Sequence, residues 1–267
     1  MQFSKNELYS LLNQPGPLWL HDADLSGADL TNANLTNANL TKANLNNANL
    51  SGAILNLANL TQAGLDGANL SQAMLQGTNL TYCRLNKANL SGAILCGAKL
   101  YGADLEGSNL SFANLVEADL TDTTLFEAVL VSAILYGADL SKADLSKADL
   151  TRAELNNANL SKATLSKAYL GGANLTGVNL TEAILSEAEL DQANLGGANL
   201  TRVDLTGAIL SGANLTGATL TGAILTGVIY NQSTKWPDGF DPKAAGLILE
   251  TVEMFLGRTV RAKLASK

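Results

Sequence analysis

One feature dominates the sequence. A leucine recurs at every fifth position from Leu20 to Leu225, without an exception or a register slip, and Tyr230 takes the next place in the series. A period of five matches neither the 3.6 residues per turn of an α-helix nor the two-residue alternation of a β-strand. It fits a short extended segment followed by a tight turn, repeated for each of the 42 leucines. The chain is therefore expected to form a solenoid, in which each unit packs on its neighbours.

The remaining positions of the repeat have preferences of their own. The residue two before the leucine is Ala in 35 of the 42 repeats, and the residue directly before the leucine favours Asn or Asp. Ser or Thr commonly follows the leucine, and the next position, here called the turn slot, is Gly or Asn in 21 repeats. Gly and Asn tolerate the positive φ that the second central residue of a type II turn requires. The turn slot therefore predicts a corner after each leucine.

The occupant of the turn slot also predicts the type of turn. The glycine run from Gly207 to Gly227 favours type II turns, because glycine adopts positive φ without strain. Long side chains disfavour positive φ. We therefore expect type I-like turns where the slot holds a basic residue, which is the case at Lys142, Lys147, Arg152, Lys162 and Lys167.

Four such pentapeptides would close a square coil of about 20 residues, stacked on the next coil at a spacing of about 4.8 Å. The leucine and the small residue two before it would point inward, and the other three positions outward. The pattern, which reads roughly Ala-(Asp/Asn)-Leu-X-X over residues 18–230, resembles the pentapeptide-repeat family. The resemblance implies an all-β solenoid, a right-handed quadrilateral β-helix, with a dry interior. That length of repeat corresponds to about ten coils.

The N-terminal segment is expected to cover the first coil, since a bare solenoid end invites aggregation. Residues 1–17 form this predicted helical cap, with a helix over 3–13 that begins on a capping box of Ser4 and Glu7. Its apolar side chains suited to covering the coil are Leu8, Leu11 and Leu12.

The C-terminal segment, residues 231–267, is expected to contain a turn and then a helix. Asp241 has the character of an N-cap and Pro242 suits the first helical position, so a helix is predicted over 242–265. One face of that helix would be apolar, with Leu249, Val252, Leu256, Val260 and Leu264. This face would dock on the last coils or on another subunit.

The sequence offers no constellation for catalysis. Its one histidine, His21, falls on the first coil, and its acidic residues are scattered over outward positions. Cys83 occupies an inward position and Cys96 an outward one on another face, so a disulfide between them is not expected. We therefore expect a protein that is not an enzyme and has no catalytic, cofactor-binding or metal-binding residue.

Charge and hydropathy restrict the partners. The net charge is -7 and the pI about 4.7, which disfavours nucleic acid as a partner because a binder needs a basic surface. No run of about 18 apolar residues predicts a membrane span. The N-terminus lacks the basic and apolar regions of a signal peptide, so a cytoplasmic protein is expected.

The outward positions of one face are unusually apolar. Together with neighbours on the adjoining face they form a candidate partner surface, here called the apolar strip, which consists of Ile54, Leu57, Met74, Ile94, Phe112, Val116, Val129, Val131, Ile134 and Tyr136. An exposed apolar patch of this kind commonly marks an interaction site. The alternative is that the position before the leucine is half-buried and tolerates isoleucine, which also occurs at Ile184, Ile209 and Ile224.

Two functions are compatible with these features. The first is a non-catalytic scaffold that binds another protein, with a homodimer through the apolar strip or the C-terminal helix as a further alternative. The second follows from the family resemblance, since some pentapeptide-repeat proteins bind DNA gyrase as acidic mimics of duplex DNA. A duplex about 50 Å long carries about 30 negative charges. Residues 18–230 hold 19 acidic and 10 basic residues, so the imitation would be poor.

Overall fold

The computed structural model describes residues 5–12, 14 and 16–256. It contains a helix α1 (Lys5–Leu12) and two short strands, β1 (Ile229–Tyr230) and β2 (Ile248–Leu249), which pair in parallel. Residues 252–256 are also helical. Between α1 and β1 the chain alternates regularly between two-residue turns and single bridging residues.

A parallel bridge links each pre-leucine residue to the one 20 positions further along. The series begins at Trp19, which pairs with Asn39, and continues through Ile209, which pairs with Ile229. The predicted coil of four pentapeptides is thereby confirmed. The last bridge, between Asn214 and Lys235, spans 21 residues, so one extra residue enters the chain after β1.

All five backbone N–H groups of the unit from Asn69 to Ala73 donate hydrogen bonds, four to the main chain and one to a side chain. The N–H of Asn69 donates to the preceding coil at 2.9 Å, and those of Leu70 and Gln72 donate to the following coil at 2.7 and 3.0 Å. The N–H of Ala73 closes the turn on the carbonyl of Leu70 at 3.1 Å. The fifth N–H, of Ser71, donates to the side-chain Oδ1 of Asn69 at 3.1 Å. Asn or Asp before the leucine therefore completes the hydrogen bonding of the turn.

The interior is a continuous column of leucine and alanine. The repeat leucines from Leu25 to Leu215 are essentially inaccessible to solvent. Burying each leucine contributes roughly 1.5–3 kcal/mol before chain entropy is counted. Where a polar side chain replaces an inward alanine, a main-chain carbonyl can accept its proton: Thr78 Oγ1 lies 2.7 Å from the oxygen of Leu55, and Cys83 Sγ lies 2.8 Å from that of Leu60.

The expectation of type I-like turns at the basic turn slots is wrong. All 42 slots from Asp22 to Gly227 have positive φ, including Lys142 at 61° and Arg152 at 57°. The first central residue of each of these turns is absent from the positive-φ set, which is the type II pattern. The reason is that the turn-slot N–H must donate to the next coil, so stacking imposes one turn geometry whatever the side chain.

The N-terminal helix lies within the range predicted for it. Leu11 and Leu12 are half-buried and pack against the leucine core, while Glu7 is exposed. The predicted N-cap, Ser4, lies outside the described residues, as does the side chain of Leu8.

The C-terminal helix prediction is wrong over residues 242–250. This stretch forms turns followed by β2, whose Ile248 donates its N–H to the oxygen of Val228 at 2.9 Å. Glu250 donates likewise to Tyr230 at 2.7 Å. The exposed edge of the last coil offers hydrogen-bonding groups that a helix could not satisfy, and this tertiary pairing overrides the local helix signals.

Helical structure begins only at 252, where Thr251 Oγ1 accepts the N–H of Met254 at 3.3 Å. In the apolar face predicted for this helix, Leu249 belongs to β2, and Val252 and Leu256 are exposed. Val260 and Leu264 lie outside the described residues.

Candidate functional site

The apolar strip is built around a ladder of apolar side chains on successive coils. Parallel bridges join Ile54 to Met74 and Met74 to Ile94, and the series continues through Asn114 to Ile134. Met74, Ile94 and Ile134 are 38%, 39% and 40% exposed, and Ile54 is half-buried. Bridged residues lie about 4.8 Å apart, so the ladder extends about 19 Å along the solenoid. Asn114 is its one polar interruption.

Further apolar side chains flank this ladder. At one corner of the coil Leu57 is 64% exposed and extends over Gly77, whose missing Cβ leaves the space that Leu57 occupies. At the opposite corner of the same face Phe112 is 68% exposed. Val116, half-buried, and Tyr136, exposed, lie beside the ladder on the same face. Eight of the ten predicted residues therefore share one face and its two corners.

The other two residues lie on the adjoining face. Val129 and Val131 are half-buried, and the oxygen of Val131 accepts the N–H of Phe112 at 3.0 Å. They continue the apolar surface around the corner that carries Phe112. They do not lie on the same plane as the ladder.

Local hydrogen bonding is lost at two positions of the ladder, although at a third the N–H of Gln76 donates to Asn56 Oδ1 at 3.0 Å. The backbone N–H of the residue after each leucine needs an acceptor. Asn69 supplies one with its side-chain oxygen, whereas an isoleucine in the same position has no acceptor to offer. Among the described residues no acceptor pairs with the backbone N–H of Cys96 or Tyr136, which follow Ile94 and Ile134. At Asn114 the bond is present, since its Oδ1 accepts the N–H of Val116 at 3.2 Å. At Ile94 and Ile134 an exposed apolar side chain thus replaces a stabilising acceptor.

Isoleucines in the same position elsewhere have mixed neighbours: Ile209 bridges to Ile229, which pairs with Ile248 of β2, whereas Ile184 and Ile224 have polar neighbours. Ile184, 41% exposed, bridges to Thr164 on one side and to Asp204 on the other. Ile224, 50% exposed, also bridges to Asp204. The position does tolerate isoleucine, as the alternative interpretation holds. The strip differs from these sites in its length, from Ile54 to Ile134, and in the exposed Leu57 and Phe112 that flank it.

Charged side chains on the other faces pair along the axis. Lys147 Nζ lies 2.9 Å from Glu127 Oε1, and Arg202 Nη1 lies 3.2 Å from Glu182 Oε1, each pair joining adjacent coils. Glu117, at the same corner as Leu57, makes no ion pair with any residue that the structure describes. The sequence prediction of the strip did not include Glu117. The position of Glu117 in a turn slot of this face could have identified it.

The half-buried thiol of Cys96 lies on the strip face near Ile94, whereas His21 lies apart from the strip and Cys83 lies inside the core. The Nε2 atom of His21 lies 2.7 Å from Asp22 Oδ2 on the exposed first coil. Burial raises the pKa of the Cys83 thiol to about 12 and keeps it neutral. Over the described ranges, no group of His, Cys, Asp or Glu is arranged to hold a metal ion. None of the helices described there has the length and apolar character to cross a bilayer.

The sequence profile described as Pentapeptide repeats matches the chain eight times, over residues 20–56, 53–92, 75–111, 103–141, 113–152, 133–172, 158–197 and 198–229. The chain belongs to the pentapeptide-repeat family. Members of the family adopt a right-handed quadrilateral β-helix, in agreement with the 20-residue bridge register. They are generally structural or interaction proteins.

Several solved structures of the family are similar to this chain. HetL, a protein of the cyanobacterium Nostoc sp. strain PCC 7120 involved in heterocyst differentiation regulation, is 33% identical. That match covers 89% of this chain and 99% of HetL, with a TM-score of 0.40. A pentapeptide repeat protein of the Arabidopsis thaliana thylakoid lumen is 37% identical over 36% of this chain and 67% of its own, with a TM-score of 0.35.

QnrB1, a plasmid-mediated fluoroquinolone resistance protein, is 20% identical. The match covers 65% of this chain and 91% of QnrB1, with a TM-score of 0.32. No curated protein matches the sequence.

Proposed function

We propose that this protein is a non-catalytic scaffold that binds another protein through the apolar strip. The observation that carries the proposal is the run of apolar side chains from Ile54 to Ile94, continued at Ile134, in which all but Ile54 are exposed. Such a surface is unfavourable in water, and covering it with a partner recovers roughly 25 cal/mol per Å² of apolar area.

The solenoid suits this role because it holds the strip rigidly. Each ladder residue is fixed by two main-chain bonds to the preceding coil: Ile94 donates its N–H to Ala73 at 2.9 Å, and its oxygen accepts the N–H of Leu75 at 2.7 Å. The side chains therefore stand in fixed order before the partner arrives. A preformed surface loses little conformational entropy on binding.

Affinity capture with matched variants tests the proposal. The Ile94→Asp/Ile134→Asp protein should lose the partner that the wild type retains from an extract of its source cells, because two carboxylates would be placed within the contact surface. The control is Ile184→Asp/Ile224→Asp, which makes the same changes in the same repeat position away from the strip. Circular dichroism should show all three proteins folded. Equal capture by the strip variant and the wild type would contradict the proposal.

DNA mimicry of the kind that engages gyrase is the rival function. Pairs such as Lys147 with Glu127 and Arg202 with Glu182 neutralise carboxylates along the rod, which weakens any likeness to an array of phosphates. A supercoiling assay distinguishes the two functions. Inhibition of gyrase at micromolar protein, unaffected by the strip variant, would favour mimicry.

A further inference from the structure

We draw no further inference here: the strongest candidate, the apolar C-terminal end of the solenoid, where Ile224 and Phe255 are exposed and the backbone N–H groups of Leu220 and Leu225 have no acceptor among the described residues, carries none because nothing in the structure shows what covers it.

Discussion

Lys142 and Gly137 occupy turn slots on successive sides of the coil and have almost the same φ, 61° and 64°. The lysine therefore adopts a conformation that glycine accepts freely and that an L side chain resists by about 1–2 kcal/mol. Stacking imposes this geometry, because the N–H of Lys142 must donate to Ser161 of the next coil at 3.0 Å.

Substitutions in the turn slot should therefore follow backbone strain. Lys142→Gly should raise the free energy of unfolding by roughly 0.5–1 kcal/mol, since relief of strain exceeds the entropy that glycine adds to the unfolded chain. Lys142→Val should lower it by about 1–2 kcal/mol, because a β-branched residue tolerates positive φ poorly. Urea denaturation followed by circular dichroism measures both. A stabilising valine or a destabilising glycine would contradict the imposed turn.

The period of five predicted the coil, the inward leucines and the position of each corner, because those features depend on spacing alone. The same reasoning failed at Lys142, since the turn type is decided by hydrogen bonds to another coil, 20 residues away in sequence. It failed again at Ile248, where pairing with the last coil replaced a helix predicted from Asp241 and Pro242. Local sequence preferences predict the structure poorly wherever hydrogen bonds to a neighbouring coil determine the backbone conformation.

The asparagine before each leucine should be a measurable source of stability. Asn69 Oδ1 accepts the N–H of Ser71 at 3.1 Å and the amide of Asn89 at 3.2 Å, and its own amide donates to Asn49 at 3.1 Å. Asn69→Ala should lower the free energy of unfolding by about 1–2 kcal/mol. Asn69→Asp, which retains the acceptor for Ser71, should lose less. Equal losses in the two variants by urea denaturation would show that the turn bond contributes nothing.

The leucine column should be most sensitive to change in its middle. Leu125→Ala should destabilise the protein by about 2–5 kcal/mol, because Leu125 is fully enclosed by the neighbouring coils. Leu225→Ala is the matched control near the end, where the leucine is only half-buried. Hydrogen exchange should show that the loss spreads to the coils on either side of Leu125. Comparable effects at the two sites would contradict the difference in burial between the middle of the leucine column and its end.

The two cysteines should differ in reactivity. Cys83 is buried, with its pKa raised to about 12, and Cys96 is half-buried on the surface. At pH 8 a disulfide reagent should modify Cys96 in the folded protein and Cys83 only after unfolding.

Titration of Cys83 also gives a pH dependence. The folded protein favours the neutral thiol of Cys83. The contribution of this thiol to the free energy of unfolding is therefore complete below its ordinary pKa of 9.0, and it declines as the pH rises toward about 12. Wild type should therefore lose more stability than Cys83→Ala over that range. Identical pH profiles of unfolding would contradict the buried thiol.

The apolar residues of the strip could be identified from the sequence once the coil register was known, because positions 20 apart share a column. Their exposure and the loss of the side-chain acceptor at Ile94 required the structure. The position of Glu117 at the margin of the strip also required the structure.

Photo-crosslinking tests the central claim most directly. Tyr136, in the strip, and Tyr169, outside it, are 44% and 48% exposed, so benzoylphenylalanine at either position samples solvent almost equally. Irradiation in an extract of the source cells should give a discrete protein adduct from position 136 and none from 169. Adducts of the same size and yield from both positions, or from 169 alone, would contradict binding through the apolar strip.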